Sequence, residues 1–436
     1  MYSFIAVQCD LATKTVSEFG IIKKASDYDL IDDTFSEIFV SDRTFQYLKN
    51  IAFSGANDFL LSYFTQKGKE QIRLKNYVGL LQTPDGKQIE ILPKSTANSP
   101  KEARKMLLKM LRVLPNSLYQ SLSNSHLETS HLPLFEIFVN VFLDELEKLL
   151  SQGLGRNFER QEANETFIKG KILIAENLRQ NPIQKERFFI AYDEFTADIP
   201  PNRVLRYCLQ ILYKQYFSHR TQQRINKNIG IFEEVRSSNN IEQDLAQSFH
   251  KNLFFVRYEN LLHWANIFIK EQSFLPFSGQ YLQLGLLFPM EILFENYVGK
   301  FFKKYFAENY EVKLQDKAKF LIDNHLEKSK FRLIPDIVLR NETQTLIFDT
   351  KWKLINAAKP KQNYGIEQSD LYQMYAYGKK YDAQQLFLIY PANENFQSPL
   401  QVFDYEADMR LQIIPFDLIQ NLPNLQENLQ GLLTID

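Results

Sequence analysis

The sequence predicts a multidomain α+β protein with a β-rich N-terminal domain, a mostly α-helical middle region and an α/β C-terminal domain. At 436 residues the chain is longer than one ordinary hydrophobic core supports. Short apolar runs and turns alternate at the start, helical periodicity dominates the middle, and helix and strand patterns alternate after Met290. We therefore predict domains at residues 1–98, 99–275 and 276–436.

The composition is that of a folded globular chain, with 44% hydrophobic and 24% charged residues. Because 51 Lys and Arg balance 52 Asp and Glu, any nucleic-acid contact must be local. The two cysteines, Cys9 and Cys208, have no CxxC spacing, which fits a reducing compartment and no cysteine-based zinc site. Residues 1–11 lack a basic leader pattern, and no charge-free run reaches about 18 residues. We expect a cytoplasmic protein without a membrane segment.

In the first two regions the hydrophobic period distinguishes strands from helices. Residues 77–81 and 89–94 alternate around Pro84-Asp85-Gly86, which predicts a β-hairpin. In the middle region apolar residues recur at helical spacing in three stretches, namely residues 101–113, 134–150 and 202–216. The polar stretch 239–247 is interpreted as part of a connection.

The C-terminal region begins with an amphipathic helix whose stripe includes Met290, Leu293, Phe294 and Tyr297. Two strands follow at residues 331–339 and 345–351, joined by a polar turn. The next helix spans residues 369–380, and either Ser369 or Asp370 is predicted to cap it. Later strands are predicted at residues 386–390, 400–404 and 411–414.

Two short motifs in these strands point to metal-dependent chemistry: Pro335-Asp336 and, after a gap, Asp349-Thr350-Lys351. Side chains two residues apart on a strand share a face, so Asp349 and Lys351 point the same way. If the strand from Asp336 pairs alongside, both carboxylates converge on one hard cation such as Mg²⁺. Lys351 would then orient or deprotonate water and stabilise a charged phosphate, which predicts phosphodiester hydrolysis.

Each motif alone is common in surface ion pairs. Asp349, however, ends the apolar run Leu346-Ile347-Phe348, where a charge without a role is unfavourable. The combined pattern is typical of a PD-(D/E)xK restriction-endonuclease-like domain. Because a charge without a role would be unfavourable in that position, the pattern favours a functional interpretation of Asp349.

Three further residues are candidates for the same site. Glu295, on the preceding helix, could be a third metal ligand beside Asp336 and Asp349, with Glu291 as its competitor and a solvated helix acid as the alternative. Gln373 and Tyr377 share a helix face with Asp370 and could bind the scissile strand. The alternative for Tyr377 is a core position.

Several lysines surround these acids, and they could follow a phosphate backbone or form only a solvated face; they are Lys300, Lys303, Lys304, Lys351, Lys353, Lys359 and Lys361. The sequence contains no GxxxxGK[ST] motif, so we expect this chain to bind no nucleotide.

The motifs resemble those of McrC, the nuclease subunit of modification-dependent McrBC restriction systems. The resemblance rests on the Glu295, Asp336, Asp349-Thr350-Lys351 and Gln373-to-Tyr377 elements. In the middle region it rests on residues 168–172, 192–198 and 202–205. The Gln373-to-Tyr377 spacing is also similar to the QxxxY motif of RecB-like nucleases. Residues 78–80 and 89–94 are similar to the longer McrC branch.

The resemblance implies a Mg²⁺-dependent endodeoxyribonuclease that stimulates a McrB-like AAA+ GTPase hexamer and cuts double-stranded DNA carrying modified cytosine. GTP would be bound by the partner, and residues 89–94 and 169–203 would lie in the part that reaches the ring. Asp193, Glu194, Asn202 and Arg203 are equally well interpreted as a structural turn and helix cap. Two other functions stay open: a non-catalytic coupling subunit of a AAA+ motor, and a stand-alone repair nuclease.

Overall fold

A computed structural model describes residues 13–53, 59–83, 88–94, 99–115, 118–248, 253–272, 286–406, 408–419 and 422–433. Contacts divide the chain into two compact units, one formed by residues 1–134 with 277–436 and the other by residues 135–276. We call them unit 1 and unit 2. Within the described ranges, no helix is both long enough and apolar enough to cross a membrane.

The described residues of the N-terminal segment of unit 1 form one four-stranded sheet, three strands of a second sheet, and three α-helices. The strands are β1 (Lys14–Ser17), β2 (Ile21–Lys24), β3 (Glu37–Val40), β4 (Leu61–Gln66), β5 (Lys69–Leu74), β6 (Tyr77–Gln82) and β7 (Gln88–Leu92). The helices are α1 (Asp42–Phe53), α2 (Pro100–Leu111) and α3 (Asn124–Glu128). One sheet has the order β3-β2-β5-β4. In the other, β1 pairs parallel with β7, and β7 pairs antiparallel with β6.

Unit 2 is mostly helical and includes a small three-stranded sheet. Its helices are α4 (Leu134–Ser151), which begins at the last residue of the preceding segment, α5 (Ile174–Gln180), α6 (Pro200–Tyr213), α7 (His219–Ile231), α8 (Ile241–Ser248) and α9 (Glu259–Gln272). Its strands are β8 (Asn157–Glu165), β9 (Lys171–Ile172) and β10 (Phe188–Thr196), in the order β8-β10-β9. The core contains fully buried side chains of α4, α6 and α9, including Phe138, Leu205 and Trp264.

The C-terminal segment returns to unit 1. Its strands are β11 (Leu287–Pro289), β12 (Glu311–Leu314), β13 (Phe320–His325), β14 (Lys328–Arg332), β15 (Ile337–Arg340), β16 (Thr345–Thr350), β17 (Gln385–Pro391), β18 (Phe403–Glu406) and β19 (Met409–Phe416). Its helices are α10 (Met290–Tyr305), α11 (Gln368–Tyr381) and α12 (Leu422–Leu433). Six strands form a mixed sheet in the order β12-β15-β16-β17-β19-β18. β13 and β14 form a separate antiparallel pair.

β11 joins the two segments of unit 1 because it pairs antiparallel with β6 of the N-terminal segment. Gly79 of β6 makes this pairing possible. Its φ is +126°, and a Cβ added there would lie 1.7 Å from the Leu286 carbonyl oxygen. Only glycine combines that backbone conformation with so close an approach.

The central strands of the six-stranded sheet are covered on both faces. Phe348 of β16 packs against Phe302 of α10, with ring centroids 4.7 Å apart. On the opposite face, Ile347 belongs to a core cluster with Met374 and Tyr377 of α11. Consecutive residues of β16 therefore face different helices, and Asp349 shares its face with Ile347.

The predicted α+β multidomain class is confirmed, and the hairpin of β6 and β7 forms as expected. Its predicted Pro84-Asp85-Gly86 turn lies outside the described residues. Three other parts of the predictions also lie outside them: residues 1–11 with Cys9, Asn98 at the end of the predicted N-terminal domain, and the boundary at residues 275–276. The predicted connection at residues 239–247 is wrong, because α8 occupies it and buries Asp244 and Leu245.

Two predictions for the C-terminal region are also wrong. Residues 331–339 do not form one strand, because Phe331 has a φ of +57° and β14 ends at Arg332 before β15 begins. The second helix starts at Gln368 with Glu367 as its N-cap residue, and no side chain caps it. A predicted cap at Ser369 or Asp370 therefore lies inside the helix.

Candidate active site at the ends of β15 and β16

Asp336 and Asp349 lie at the ends of two neighbouring antiparallel strands. Ile337 of β15 is paired with Phe348 of β16, and continuing this register by one residue sets Asp336 opposite Asp349. The Oδ2 atom of Asp336 accepts hydrogen bonds from the Thr350 backbone N (2.7 Å) and Thr350 Oγ1 (2.6 Å). Asp349 is only 2% exposed. Two carboxylates are thus held side by side at one end of the sheet.

Lys351 connects this pair to α11. Its Nζ atom forms an ion pair with Asp349 and donates a hydrogen bond to Gln373 Oε1 at 3.0 Å. Gln373 Nε2 in turn donates to the Tyr377 hydroxyl at 2.7 Å, and that hydroxyl donates to the Ile334 carbonyl at 3.0 Å. The chain of contacts therefore starts at Asp349 and ends at Ile334, in the connection between β14 and β15, two residues before Asp336.

Glu295 approaches the same end of the sheet from α10. Its Oε1 atom accepts a hydrogen bond from Gln315 Nε2 at 2.6 Å, and the Gln315 backbone N donates to the Asp336 carbonyl at 2.8 Å. Glu291, the alternative on the same helix, is turned away and accepts a hydrogen bond from Asn76. The structure thus places Glu295, and not Glu291, beside Asp336.

The electrostatics reflect this crowding of acids. Burial, followed by the charge of Asp336, raises the pKa of both Asp349 and Glu295. Burial also raises the pKa of Asp336, although its hydrogen bonds from Thr350 oppose the shift. Burial alone would lower the pKa of Lys351, but the charges of Asp349 and Asp336 outweigh it and raise that pKa. The carboxylates therefore repel one another, and Lys351 compensates only part of that repulsion.

These residues supply the donor set that Mg²⁺ prefers, since all three acids offer carboxylate oxygens. A divalent cation would also relieve the repulsion between Asp336 and its two acidic neighbours. In the described part of the chain, no three His, Cys, Asp or Glu side chains already converge closely enough to enclose a metal ion. Asp336 and Asp349 fit as the primary pair, and Glu295 would join them by leaving Gln315.

The lysines around the acids do not form one surface. Lys353 forms ion pairs with Glu367 (3.0 Å) and with the buried Asp370 (3.2 Å), and Asp370 also accepts a hydrogen bond from the Tyr390 hydroxyl. Lys359 and Lys361 are exposed after β16. Lys300 and Lys304 line a different cleft of about 790 Å³ together with Lys109 and Arg112.

A buried carboxylate of the N-terminal segment supports the residue that follows Lys351. Both oxygens of Glu18 accept hydrogen bonds from Trp352 Nε1, at 2.9 and 3.0 Å, and the Lys94 backbone N donates to it at 2.9 Å. Trp352 also packs against Phe294, the neighbour of Glu295. Glu18 therefore fixes a side chain that lies between two parts of the candidate site.

Some residues of the middle motifs have structural partners within unit 2. Asn202 is fully buried, donates to the carbonyls of Gly155 and Ala197, and accepts a hydrogen bond from Tyr258. Arg203 forms an ion pair with Asp244 at 3.0 Å. Asp193 and Glu194, by contrast, are exposed on β10.

Sequence reasoning missed Gln315 and Thr350, which hydrogen-bond to the acids, and Glu18, which holds Trp352. Thr350 lies inside the DxK motif, between Asp349 and Lys351. This position was the one sequence signal that could have pointed to its role beside the acids. Glu18 and Trp352 are 334 positions apart, so no local pattern could join them.

The comparisons with known proteins agree with the motifs. A family model described as McrBC 5-methylcytosine restriction system component matches residues 72–391. No curated protein matches the chain.

Two solved structures from Thermococcus gammatolerans are similar to the chain. A chain from the half-complex of the tetradecameric assembly of McrB AAA+ hexamers with bound McrC shares 17% identity and a TM-score of 0.65, and the match covers 97% of this chain and 100% of that one. A chain from the cryo-EM structure of the McrBC complex shares 17% identity and a TM-score of 0.43, with 66% and 86% covered. At this identity the first match shows a common fold.

The burial of Glu18 makes the free energy of unfolding depend on pH. Burial raises the pKa of Glu18 from 4.5 to about 8, against the hydrogen bonds from Lys94 and Trp352. Folding then favours the protonated form, so this contribution is complete below pH 4.5 and is lost as the pH rises to 8. We expect Glu18→Gln to be more stable than the wild type at pH 8, by on the order of 4 kcal/mol, and to have a shallower loss of stability between about pH 5 and 8.

Denaturant unfolding at about pH 5 and pH 8 measures this difference. Glu128→Gln is the matched control, because Glu128 is an exposed acid in the same segment. An equal pH dependence in wild type and Glu18→Gln would contradict a protonated Glu18.

Proposed function

The chain belongs to the McrBC family of 5-methylcytosine restriction system components, and on that premise we propose that it is the nuclease subunit of such a system. In this proposal it hydrolyses phosphodiesters of double-stranded DNA carrying modified cytosine, with Mg²⁺, through a PD-(D/E)xK domain. It acts with, and stimulates, a McrB-like AAA+ GTPase hexamer.

One observation carries the proposal: Asp336, Asp349 and Lys351 meet at one end of the sheet, linked to Gln373 and Tyr377 by hydrogen bonds. A structural ion pair would need only one acid for Lys351. Here a second carboxylate lies beside the first and raises its pKa. Such an uncompensated cluster costs stability and is typical of a functional site.

Asp336 and Asp349 would hold the Mg²⁺ ion, with Glu295 as a third ligand. When bound there, the ion would act as a Lewis acid on the phosphate and lower the pKa of bound water. The carboxylates therefore serve to fix its position relative to the scissile phosphodiester.

Lys351 supplies positive charge next to the acids. It donates to two oxygen acceptors, Asp349 and Gln373, which is the role of an ammonium group. An ammonium in this place stabilises the negative charge that develops on the phosphate in the transition state. Gln373 holds Lys351 from α11, and Tyr377 in turn holds Gln373, so we assign both positioning roles.

Replacing either central acid tests this site. We expect Asp336→Asn and Asp349→Asn each to reduce plasmid cleavage at least about 10³-fold, because each removes a carboxylate that fixes the metal ion. The measurement is cleavage of modified plasmid with Mg²⁺, GTP and the AAA+ protein encoded beside this chain. Stimulation of the partner GTPase is measured in the same mixtures and should be retained.

Glu295→Gln and Glu291→Gln form a matched pair on one helix. Glu295→Gln should cut more slowly and need more Mg²⁺, whereas Glu291→Gln should behave as the wild type.

Wild-type cleavage by Asp349→Asn would remove the proposed site. Cleavage by the wild-type chain without any partner would instead indicate a stand-alone nuclease.

For the partner contact we propose the exposed apolar surface of unit 2. Phe167, Ile168, Ile174, Leu178 and Ile183 are between 56% and 88% exposed, although all are large and hydrophobic. Exposed apolar side chains grouped in this way typically mark a protein interface. They fall within or beside the predicted partner region of residues 169–203.

The neighbouring secondary structure agrees with this assignment. α5 has no buried residue, so its apolar side chains are not used in the core of unit 2. Gly170 lies beside it with a φ of +76°, and an added Cβ there would lie 2.3 Å from the Ala191 carbonyl oxygen. This close packing fixes the segment that presents the surface. In contrast, Ile89, Ile91 and Leu92 of the other predicted contact region are buried in unit 1.

The double variant Leu178→Asp with Ile183→Asp tests the partner surface. We expect at least about a tenfold loss of partner GTPase stimulation, because two charges would have to be desolvated at an apolar interface. Leu30→Asp is the control, since Leu30 is 87% exposed in unit 1. Full stimulation by the double variant would exclude this surface.

A further inference from the structure

The hairpin of β13 and β14 projects from unit 1 without covering a core. Every residue from Leu321 to Arg332 is exposed, including Leu326 (83%) and Phe331 (74%). A two-stranded hairpin with both faces in water has little stability of its own. Its exposed apolar and basic side chains therefore suggest that it is completed by a binding partner.

One face of the hairpin carries three cations in a row. Lys328, Lys330 and Arg332 alternate along β14, so they point to the same side. The register places Phe320 opposite Arg332 and Ile322 opposite Lys330. The Arg332 guanidinium lies over the Phe320 ring, 4.9 Å from its centroid, which confirms that these two side chains share the face.

This cationic face is free within the described part of the chain, where no carboxylate lies within ion-pair distance of Lys328, Lys330 or Arg332. The opposite face is also exposed, but it carries an ion pair with α11. Asp323, which follows Ile322 and so points the other way, forms an ion pair with Lys380 of α11 at 2.8 Å. The three cations therefore lie on the face of the hairpin opposite to the Asp323–Lys380 ion pair.

The base of the hairpin is directly connected to the candidate site. Its second strand leads through Leu333, Ile334 and Pro335 directly to Asp336. At its base, Gln315 donates to the Asp336 carbonyl and to Glu295, and Tyr377 donates to the Ile334 carbonyl. A ligand held by the hairpin would thus lie beside the acids.

We propose that the β13–β14 hairpin is a double-stranded DNA-binding element whose cationic face holds the duplex next to Asp336 and Asp349. The inference rests on the proposed nuclease function and adds the surface that positions its substrate. The chemistry is complementary: three unpaired cations, spaced about 7 Å apart along the strand, match the repeated negative charges of a phosphate backbone. The shape is also suitable, because the major groove of about 12 Å admits a two-stranded β-ribbon.

DNA binding by the full chain tests this element separately from cleavage. The probe is a fluorescently labelled DNA duplex, titrated with protein in EDTA over a series of salt concentrations. For Lys328→Ala with Lys330→Ala and Arg332→Ala, we expect at least about tenfold weaker binding at physiological salt. The slope of log affinity against log salt should fall by about 0.9 for each lost phosphate contact.

Two further variants make the result specific. Lys328→Ala with Lys330→Ala keeps the Arg332–Phe320 contact and should lose part of the affinity in a folded hairpin. Lys148→Ala with Lys214→Ala and Lys227→Ala removes the same charge from exposed positions of unit 2 and should bind DNA as the wild type does.

Equal affinity of the wild type and the triple hairpin variant, whether tight or weak, would overturn the inference. A variant that binds DNA normally but no longer binds the AAA+ partner would overturn it too and would assign the hairpin to a protein contact. The cleavage test of Asp349→Asn is independent of these titrations. Failure of the nuclease proposal can therefore be told apart from failure of the hairpin inference.

Discussion

Two adjacent carboxylates at neighbouring strand ends, the buried Asp349 and the half-buried Asp336, are the constraint around which this part of the molecule is arranged. Placing Asp336 beside Asp349 in a poorly solvated position is unfavourable unless other groups compensate. Thr350 supplies two hydrogen bonds to Asp336, and Lys351 supplies a positive charge to Asp349. Gln373 then fixes Lys351 from α11. Compensation remains incomplete, which is the condition under which a metal cation binds.

The N-terminal segment contributes to the same arrangement from a distance in sequence. β6 pairs with β11 immediately before α10, and Glu18 accepts the indole N–H of Trp352 immediately after Lys351. Glu90, buried in the middle of β7 of that sheet, accepts two hydrogen bonds of 2.6 Å from Arg104 of α2. The first segment therefore forms the support of α10 and of the loop after β16. One task of this segment is to hold these elements in place.

The acids themselves could be predicted from sequence because strand alternation and a charge after an apolar run are local signals. Helices α2, α4, α6 and α10 were likewise found from their apolar period. The β13 strand was missed, and β14 was merged with β15, because exposed hairpins do not show a buried face and the left-handed Phe331 has no sequence signature. Arg104 is a charged residue of α2, yet it is only 6% exposed because it pairs with Glu90 of another element. Local sequence patterns carry no information on tertiary contacts between polar residues that are far apart in the sequence.

The sequence motifs, the sheet register and the surrounding hydrogen bonds all support one central claim. This claim is that Asp336 and Asp349 form one divalent-cation site. Isothermal titration of Mn²⁺ into the full chain tests this claim directly, without DNA or a partner protein. We expect a saturable site in the wild type that is lost when Asp336→Asn and Asp349→Asn are combined, and kept in Glu291→Gln. Equal Mn²⁺ binding by the wild type and the double variant would contradict it.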